Sequence, residues 1–145
     1  MIIITDTREQ LPYWRNNVQT LSVGDYTTTK LKGIFHVERK SLQDLYGTLV
    51  AGNQRFKAEL FRAAWERIQI EVYVEGTFDD FINKRFPKGD ERKFPTHGLE
   101  SLISTFIKKY HLCFHWHKNR KTCQIAVENR LLAEEKNLKK VLKTL

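Results

Sequence analysis

A chain of 145 residues is long enough to bury about two thirds of its unfolded surface, so it reads as a single domain over 1–145 that needs no disulfide or metal staple. Lysine and arginine number 25 against 17 acids, a formal charge of +8; the excess attracts polyanions, but a plain solvated basic surface has the same composition. No apolar run approaches the roughly 20 residues of a membrane span and no charged-then-apolar leader precedes Ile2, so a soluble cytoplasmic protein, nuclear in a eukaryote, with Cys113 and Cys123 as free thiols is expected.

Ile2 to Thr5 is a β-branched run ending at Asp6, as a buried strand does where it reaches the edge of a sheet. Leu21 to Lys30 and Ile34 to Lys40 alternate as two strands joined through Leu31-Lys32-Gly33, a hairpin. Ser41 is a candidate N-cap for a helix carrying Leu42, Leu45, Tyr46 and Leu49 on one stripe and ending near Gly52. Gln54 to Ile68 repeats the helical pattern with Phe56, Leu60, Ala64 and Ile68, leaving Arg55, Lys57, Glu59, Arg62 and Glu66 outside the stripe.

Gln69 to Glu75 is a further strand, and Asp79 or Asp80 opens a short helix to about Phe86. Lys84 to Phe94 is a charged loop bracketed by Pro87 and Pro95. Leu99 to Tyr110 is helical, Leu112, Phe114 and Trp116 share one face of a strand, and Thr122 is a candidate cap for a basic last helix that Asn137 could interrupt. Strands alternating with helices around a hairpin predict an α/β fold with a mixed central sheet flanked by helices.

The chemistry concentrates at Val23-Gly24-Asp25-Tyr26 and Glu38-Arg39-Lys40. Glu38 and Lys40 leave one face of their strand and Arg39 leaves the other. A Leu31-Lys32 loop sets Asp25 opposite Glu38, and a Lys32-Gly33 loop sets it opposite Lys40; both registers gather the three on one face. Two carboxylates held together repel unless a cation lies between them, and oxygen donors select hard ions such as Mg2+ or Mn2+. Such an ion with Lys40 alongside suffices for phosphodiester hydrolysis, Lys40 orienting or deprotonating the attacking water. The same residues also read as a turn aspartate and a solvent-facing pair. Gly89-Asp90-Glu91-Arg92-Lys93 repeats the letters in a loop, where Arg92 and Lys93 are candidates for DNA contact or solvation.

Asp6-Thr7-Arg8-Glu9, then Gly24-Asp25, then Glu38-Arg39-Lys40 with Asp44 following, resembles the nuclease domain of the XPF family of structure-specific DNA endonucleases. The resemblance implies a restriction-endonuclease-like fold of the PD-(D/E)xK type that uses Mg2+ or Mn2+ to cut DNA near branches, flaps or junctions. It implies metal ligation by Asp25 and Glu38, with Asp6 a further candidate ligand, catalysis by Lys40, and Asp6, Arg8, Glu9, Arg39 and Asp44 completing or supporting the site. A capping-box role explains Asp44 equally well. The tandem helix-hairpin-helix module that usually follows in this family has no room here, so branch specificity and dimerisation lose their usual basis. A homodimer or a partner protein could supply the grip on DNA; Lys136, Lys139, Lys140 and Lys143 of the last helix read equally as a DNA or partner contact and as an ordinary amphipathic surface helix.

Three further groups have plainer readings beside the functional one. Cys113, His115 and His117 alternate on a strand, which suits partly buried histidines better than a tetrahedral zinc site. Trp14, in the loop after Pro12, is the tryptophan expected to touch DNA, while Trp65 and Trp116 sit beside core stripes. Arg55 and Arg62 lie close to two turns apart on one helix face and could follow a phosphate backbone. A catalytically silent DNA-binding or scaffold protein assisting a partner nuclease is the alternative function, followed by a nuclease for RNA or four-way junctions.

Overall fold

The N-terminal β-branched run forms Ile3–Asp6 (β1), with Ile4 buried. β1 pairs in parallel with a two-residue strand, Val18–Gln19 (β2), and antiparallel with Tyr26–Thr28 (β3). β3 pairs antiparallel with Phe35–Ser41 (β4), which runs parallel to Gln69–Glu75 (β5), and β5 runs parallel to Cys113–His117 (β6). The result is a mixed six-stranded sheet in the order β2-β1-β3-β4-β5-β6. The computed structural model describes residues 1–51, 53–86 and 96–145.

Period-two alternation along the central strands feeds two cores. Val72 and Val74 of β5 point to the side covered by Leu42–Val50 (α1), Asn53–Trp65 (α2), Phe78–Ile82 (α3) and Thr96–Tyr110 (α4), where Leu45, Tyr46, Leu49, Phe56, Phe81, Leu99 and Phe106 are buried. Phe35 and Val37 of β4 and Tyr73 of β5 point to the opposite side, which Arg120–Lys143 (α5) covers through Cys123, Val127 and Leu131. The catalytic candidates Glu38 and Lys40 therefore share a face with α1 and α2, and Arg39 lies on the α5 side.

Several boundaries differ from the pattern reading. The strand expected over Leu21 to Lys30 is confined to Tyr26–Thr28, because Gly24 takes a left-handed backbone (φ 75°) and ends the extended run. A Cβ there would lie 3.1 Å from the Val37 carbonyl oxygen. Gly24→Ala is accordingly expected to cost about 1–2 kcal/mol, read as a lower urea midpoint; an unchanged midpoint would refute the argument. α2 stops at Trp65 rather than Ile68 because Arg67 adopts a left-handed conformation (φ 59°) and the Ile68 N–H reaches back to the Ala63 carbonyl at 2.8 Å.

α3 begins at Phe78 on a Thr77 cap and ends at Ile82, short of the expected Phe86. α5 is capped by Asn119, with Thr122 the reciprocal member of the capping box, and Asn137 does not interrupt it. Ser41 caps α1 as expected, its hydroxyl accepting the Asp44 N–H at 3.1 Å. Gly52 and the stretch 87–95, with Arg92 and Lys93, lie outside the described residues.

α5 is clamped to the sheet by charge as well as by apolar contact. Glu71, 5% exposed, accepts from Arg130 at 3.0 and 3.1 Å and lies 2.9 Å from His115 Nε2. His115 also stacks on Tyr73 with centroids 4.4 Å apart. Burial alone would raise the Glu71 pKa, but its hydrogen bonds with His115 and Arg130 outweigh burial and lower it to about 2, from 4.5. A carboxyl depressed by folding contributes stability above its unfolded pKa and loses it as pH falls through the folded one. Urea midpoints should therefore drop between about pH 4.5 and pH 2, and Glu71→Gln should flatten that part of the profile. An equally steep profile in the variant would remove Glu71 as the cause.

Candidate active site

Of the two hairpin registers, the structure adopts the one that places Tyr26 against Val37, and hence Asp25 toward Glu38. The ladder is then completed by Asp25 itself. Its N–H donates to the Val37 carbonyl at 2.7 Å and its carboxylate accepts the Arg39 N–H at 2.7 Å. Glu38, 6% exposed, meets Lys40 Nζ at 3.3 Å. Asp25, Glu38 and Lys40 are thus brought together on the α1/α2 side of the sheet.

The electrostatics of the cluster are unbalanced. Burial, and then the negative charge of Glu9, push the Asp25 carboxyl up to about 7 although the Arg39 amide and Lys40 oppose this. Burial, then Asp25 and then Glu59, hold Glu38 well above the ordinary carboxylate range. Burial would lower Lys40, but Glu38 and Asp25 outweigh it and raise its pKa, so the ammonium form is retained. One lysine does not compensate the acids around it.

Glu59 is the residue that pattern reading missed. Projecting from α2, it accepts the Gly24 N–H at 3.1 Å and walls a cavity of about 220 Å³ together with Asp6, Arg8, Asp25, Glu38 and Arg62. It also shares in the larger neighbouring cleft, about 680 Å³, with Arg8, Lys40, Asp44 and Arg55. The available signal was its position: Glu59 lies one turn from both Arg55 and Arg62 on a helix, the face already singled out for phosphate contact.

Asp6 and Arg8 reach the same cavity, but the Asp6 carboxylate is heavily engaged. It accepts the Leu21 N–H at 2.7 Å, the Arg8 N–H at 3.2 Å and the Arg8 guanidinium at 2.9 and 3.2 Å. Arg8 in turn donates to the Leu21 carbonyl. This clamp ties the end of β1 to the segment leading into Asp25, and the Asp6 N–H donates to the Asp25 carbonyl at 2.8 Å. A metal at Asp6 has to compete with those hydrogen bonds.

Arg39 and Glu9 lie on the opposite side of the sheet from Glu38 and Lys40. The Arg39 guanidinium grips Glu9 in bidentate fashion at 2.9 and 3.0 Å and meets Glu75 at 2.7 Å, all three side chains no more than 10% exposed. Arg120 reaches Glu75 at 3.2 Å and lies over the Tyr13 ring, whose hydroxyl donates to Glu75 at 2.5 Å. Trp14 packs edge-on to Tyr26, centroids 5.2 Å apart, behind this network. Trp14, the tryptophan expected at DNA, is half-buried with Tyr13 and Tyr26 packed against it, whereas Trp65 is exposed.

The donor set suits a hard divalent cation. Asp25 and Glu38 offer carboxylate oxygens in a cluster short of positive charge, beside an open cavity. Among the described residues no group of three or more His, Cys, Asp or Glu side chains is placed to hold a metal ion. Mg2+ commonly uses one or two carboxylates with water and substrate phosphate rather than an all-protein cage, so the residues fit.

No protein-family model and no curated protein matches the sequence. Solved structures do. XPF from Aeropyrum pernix superposes with a TM-score of 0.70 at 18% identity, covering 99% of this chain and 69% of its own. XPF from the same organism in complex with DNA gives 0.69 at 17% identity, covering 93% and 65% respectively. The chain has the XPF-type nuclease fold. That fold is restriction-endonuclease-like, and the mixed sheet and flanking helices agree with the pattern-based expectation. What is shared with XPF at this identity is architecture, which hydrophobic patterning can preserve while most side chains change. No helix among the described residues is long and apolar enough to cross a membrane.

Proposed function

We propose that the chain is a Mg2+- or Mn2+-dependent endodeoxyribonuclease that hydrolyses phosphodiester bonds in branched, flap or junction DNA. The observation that carries this reading is the Asp25–Glu38–Lys40 cluster, with Glu38 buried and Asp25 and Lys40 half-buried, deficient in positive charge and beside a cleft lined by Arg8, Lys40 and Arg55. Asp25 and Glu38 would hold the ion, which supplies Lewis acidity toward the phosphoryl oxygens and an acidified water. Lys40, kept protonated by its acidic neighbours, orients the nucleophile and offsets charge on the pentavalent phosphorus; its raised pKa disfavours it as the base.

Arg55 and Arg62, on the α2 face beside the two cavities, follow the phosphate backbone. Asp6 and Arg8 hold the Asp25 loop in register, and the Arg39–Glu9–Glu75 network fixes the strands from behind. The DNA-bound XPF neighbour lends support to DNA as the ligand. A second copy or a partner protein adding grip outside the nuclease domain is part of the same proposal.

Cleavage of end-labelled flap, fork and linear duplex DNA with Mg2+, Mn2+ or EDTA tests it. Metal-dependent cutting of the branched substrates is the expected result. Binding without cutting under every metal condition would hand the chain to the scaffold reading.

A further inference from the structure

The most exposed large aromatic side chains among the described residues lie together on α2. Phe61 is 69% exposed and Trp65 is 79% exposed, their rings 6.5 Å apart and inclined by only 19°. They are one turn apart, so they form a two-ring surface on the solvent face of the helix. Leaving two such rings in water forgoes the burial that most aromatic side chains gain, which marks the patch as a binding surface.

Three observations favour nucleic acid as the occupant. Arg62 is three residues from Trp65, about 4.5 Å along the helix axis, and walls the cavity that holds Asp25, Glu38 and Glu59. Its Nε is pinned to the Ser22 carbonyl at 2.7 Å, which fixes the stem beside the rings. The charges flanking the rings in sequence are mainly cationic, Lys57, Arg62 and Arg67, with Arg55 farther along the helix toward the neighbouring cleft, Glu66 as the acid beside Trp65 and Glu59 lining the cavity. An aromatic surface next to a line of cations is the chemistry of a base-stacking platform beside a phosphate track.

We propose that Phe61 and Trp65 stack an unpaired DNA base while Arg62 holds a phosphate next to the carboxylate cavity. Bases inside a duplex have both faces covered by their neighbours, so the platform selects a strand that is single at or beside the position of cutting. The inference rests on the nuclease reading for its purpose, but it concerns binding and is tested without cleavage.

The test uses the full chain in EDTA, with fluorescein-labelled oligo(dT), a flap duplex and a fully paired duplex as probes, read by anisotropy. Intrinsic tryptophan emission is followed in parallel. Trp14 packs against Tyr13 and Tyr26, and Trp116 against Phe78 and Phe81, so quenching that vanishes in Trp65→Phe is assigned to Trp65. Trp65→Ala and Phe61→Ala are each expected to weaken oligo(dT) and flap binding about tenfold and to change paired-duplex binding less than twofold. Trp65→Phe should retain most of the affinity.

These are surface substitutions, and thermal melts confirm that the variants fold. Equal losses on all three probes, or no loss and no quenching with oligo(dT), would overturn the platform and leave the patch to a protein partner. If flap binding behaves as expected while no DNA is cut with metal, the nuclease reading fails alone. If flap DNA is cut but the alanine variants bind unchanged, the platform fails alone.

Discussion

Asp25→Asn is expected to abolish cleavage while making the metal-free protein more stable. The activity loss should be on the order of 10² to 10³-fold or greater, the scale seen when one preorganised electrostatic element is removed from a reacting centre. The gain in stability follows from the position of Asp25. Its folded pKa of about 7 lies above the ordinary 3.8 because of burial and the nearby Glu9 carboxylate. A carboxyl raised on folding contributes its stability fully below the unfolded pKa and loses it as pH rises through the folded one. Thermal midpoints in EDTA should therefore match between parent and variant near pH 4, separate as pH rises toward 7 with the variant higher, and stay a constant distance apart above it. Adding Mg2+ should raise the parent and leave the variant nearly unmoved, since only a ligand-competent folded state is stabilised by mass action.

Lys40→Ala should lose cleavage as well, but with the opposite effect on stability. Its ammonium is the close partner of Glu38 at 3.3 Å, and removing it leaves the acids less compensated. The contrast in sign separates a metal-binding cluster from a merely fragile one. A variant Asp25→Asn that cuts like the parent, or melts below it at pH 8 in EDTA, would dismantle the site as described.

Arg39→Ala should cost about 3–5 kcal/mol of folding stability, the range for removing one member of a buried ion pair. Glu9 and Glu75 are both within 10% of full burial and both lean on the same guanidinium, at 2.9 and 2.7 Å. Without it, two carboxylates remain in a poorly hydrated space beside Tyr13, with Arg120 as the nearest other cation. Equilibrium urea unfolding measures the loss. Combining Arg39→Met with Glu9→Gln and Glu75→Gln should recover much of it, because most of the penalty belongs to the stranded charges rather than to the absent pair. A cost below about 1 kcal/mol, the level of an exposed pair, would show the network to be solvated and incidental. In the proposed nuclease, cleavage is expected to fall with stability here, since Arg39 would act only through the strands that hold Asp25.

The alternation along Phe35–Ser41 was enough to place Glu38 and Lys40 on one face and Arg39 on the other. It left two registers open, since loop length and bulge geometry are decided by contacts of the turn with the rest of the sheet. Gly24 decided between them by leaving the extended region and bringing the Asp25 amide onto the Val37 carbonyl. The opposite projection of Arg39 was legible, but its partners Glu9 and Glu75 were not, because only the order of the strands makes them neighbours. The exposure of Trp14 and Trp65 was not legible for a similar reason. A tryptophan in a loop after proline has no periodicity to reveal what packs on it, and Trp65 lost its expected cover when α2 ended at the left-handed Arg67.

What the sequence by itself determined is the set of local choices: which runs are strands or helices, which side chains share a face, and that acids and a lysine recur at strand spacing. These follow from backbone periodicity and capping chemistry, which act over a few residues. Only the tertiary structure decided that Glu59 of α2 meets Glu38 and Gly24 on one face of the sheet, that Asp6 is held by Arg8 and the Leu21 amide, and that Phe61 and Trp65 stay in water beside Arg62. The physical reason is that charge, desolvation and exposure depend on distance in space, and the packing of helices onto the sheet sets those distances.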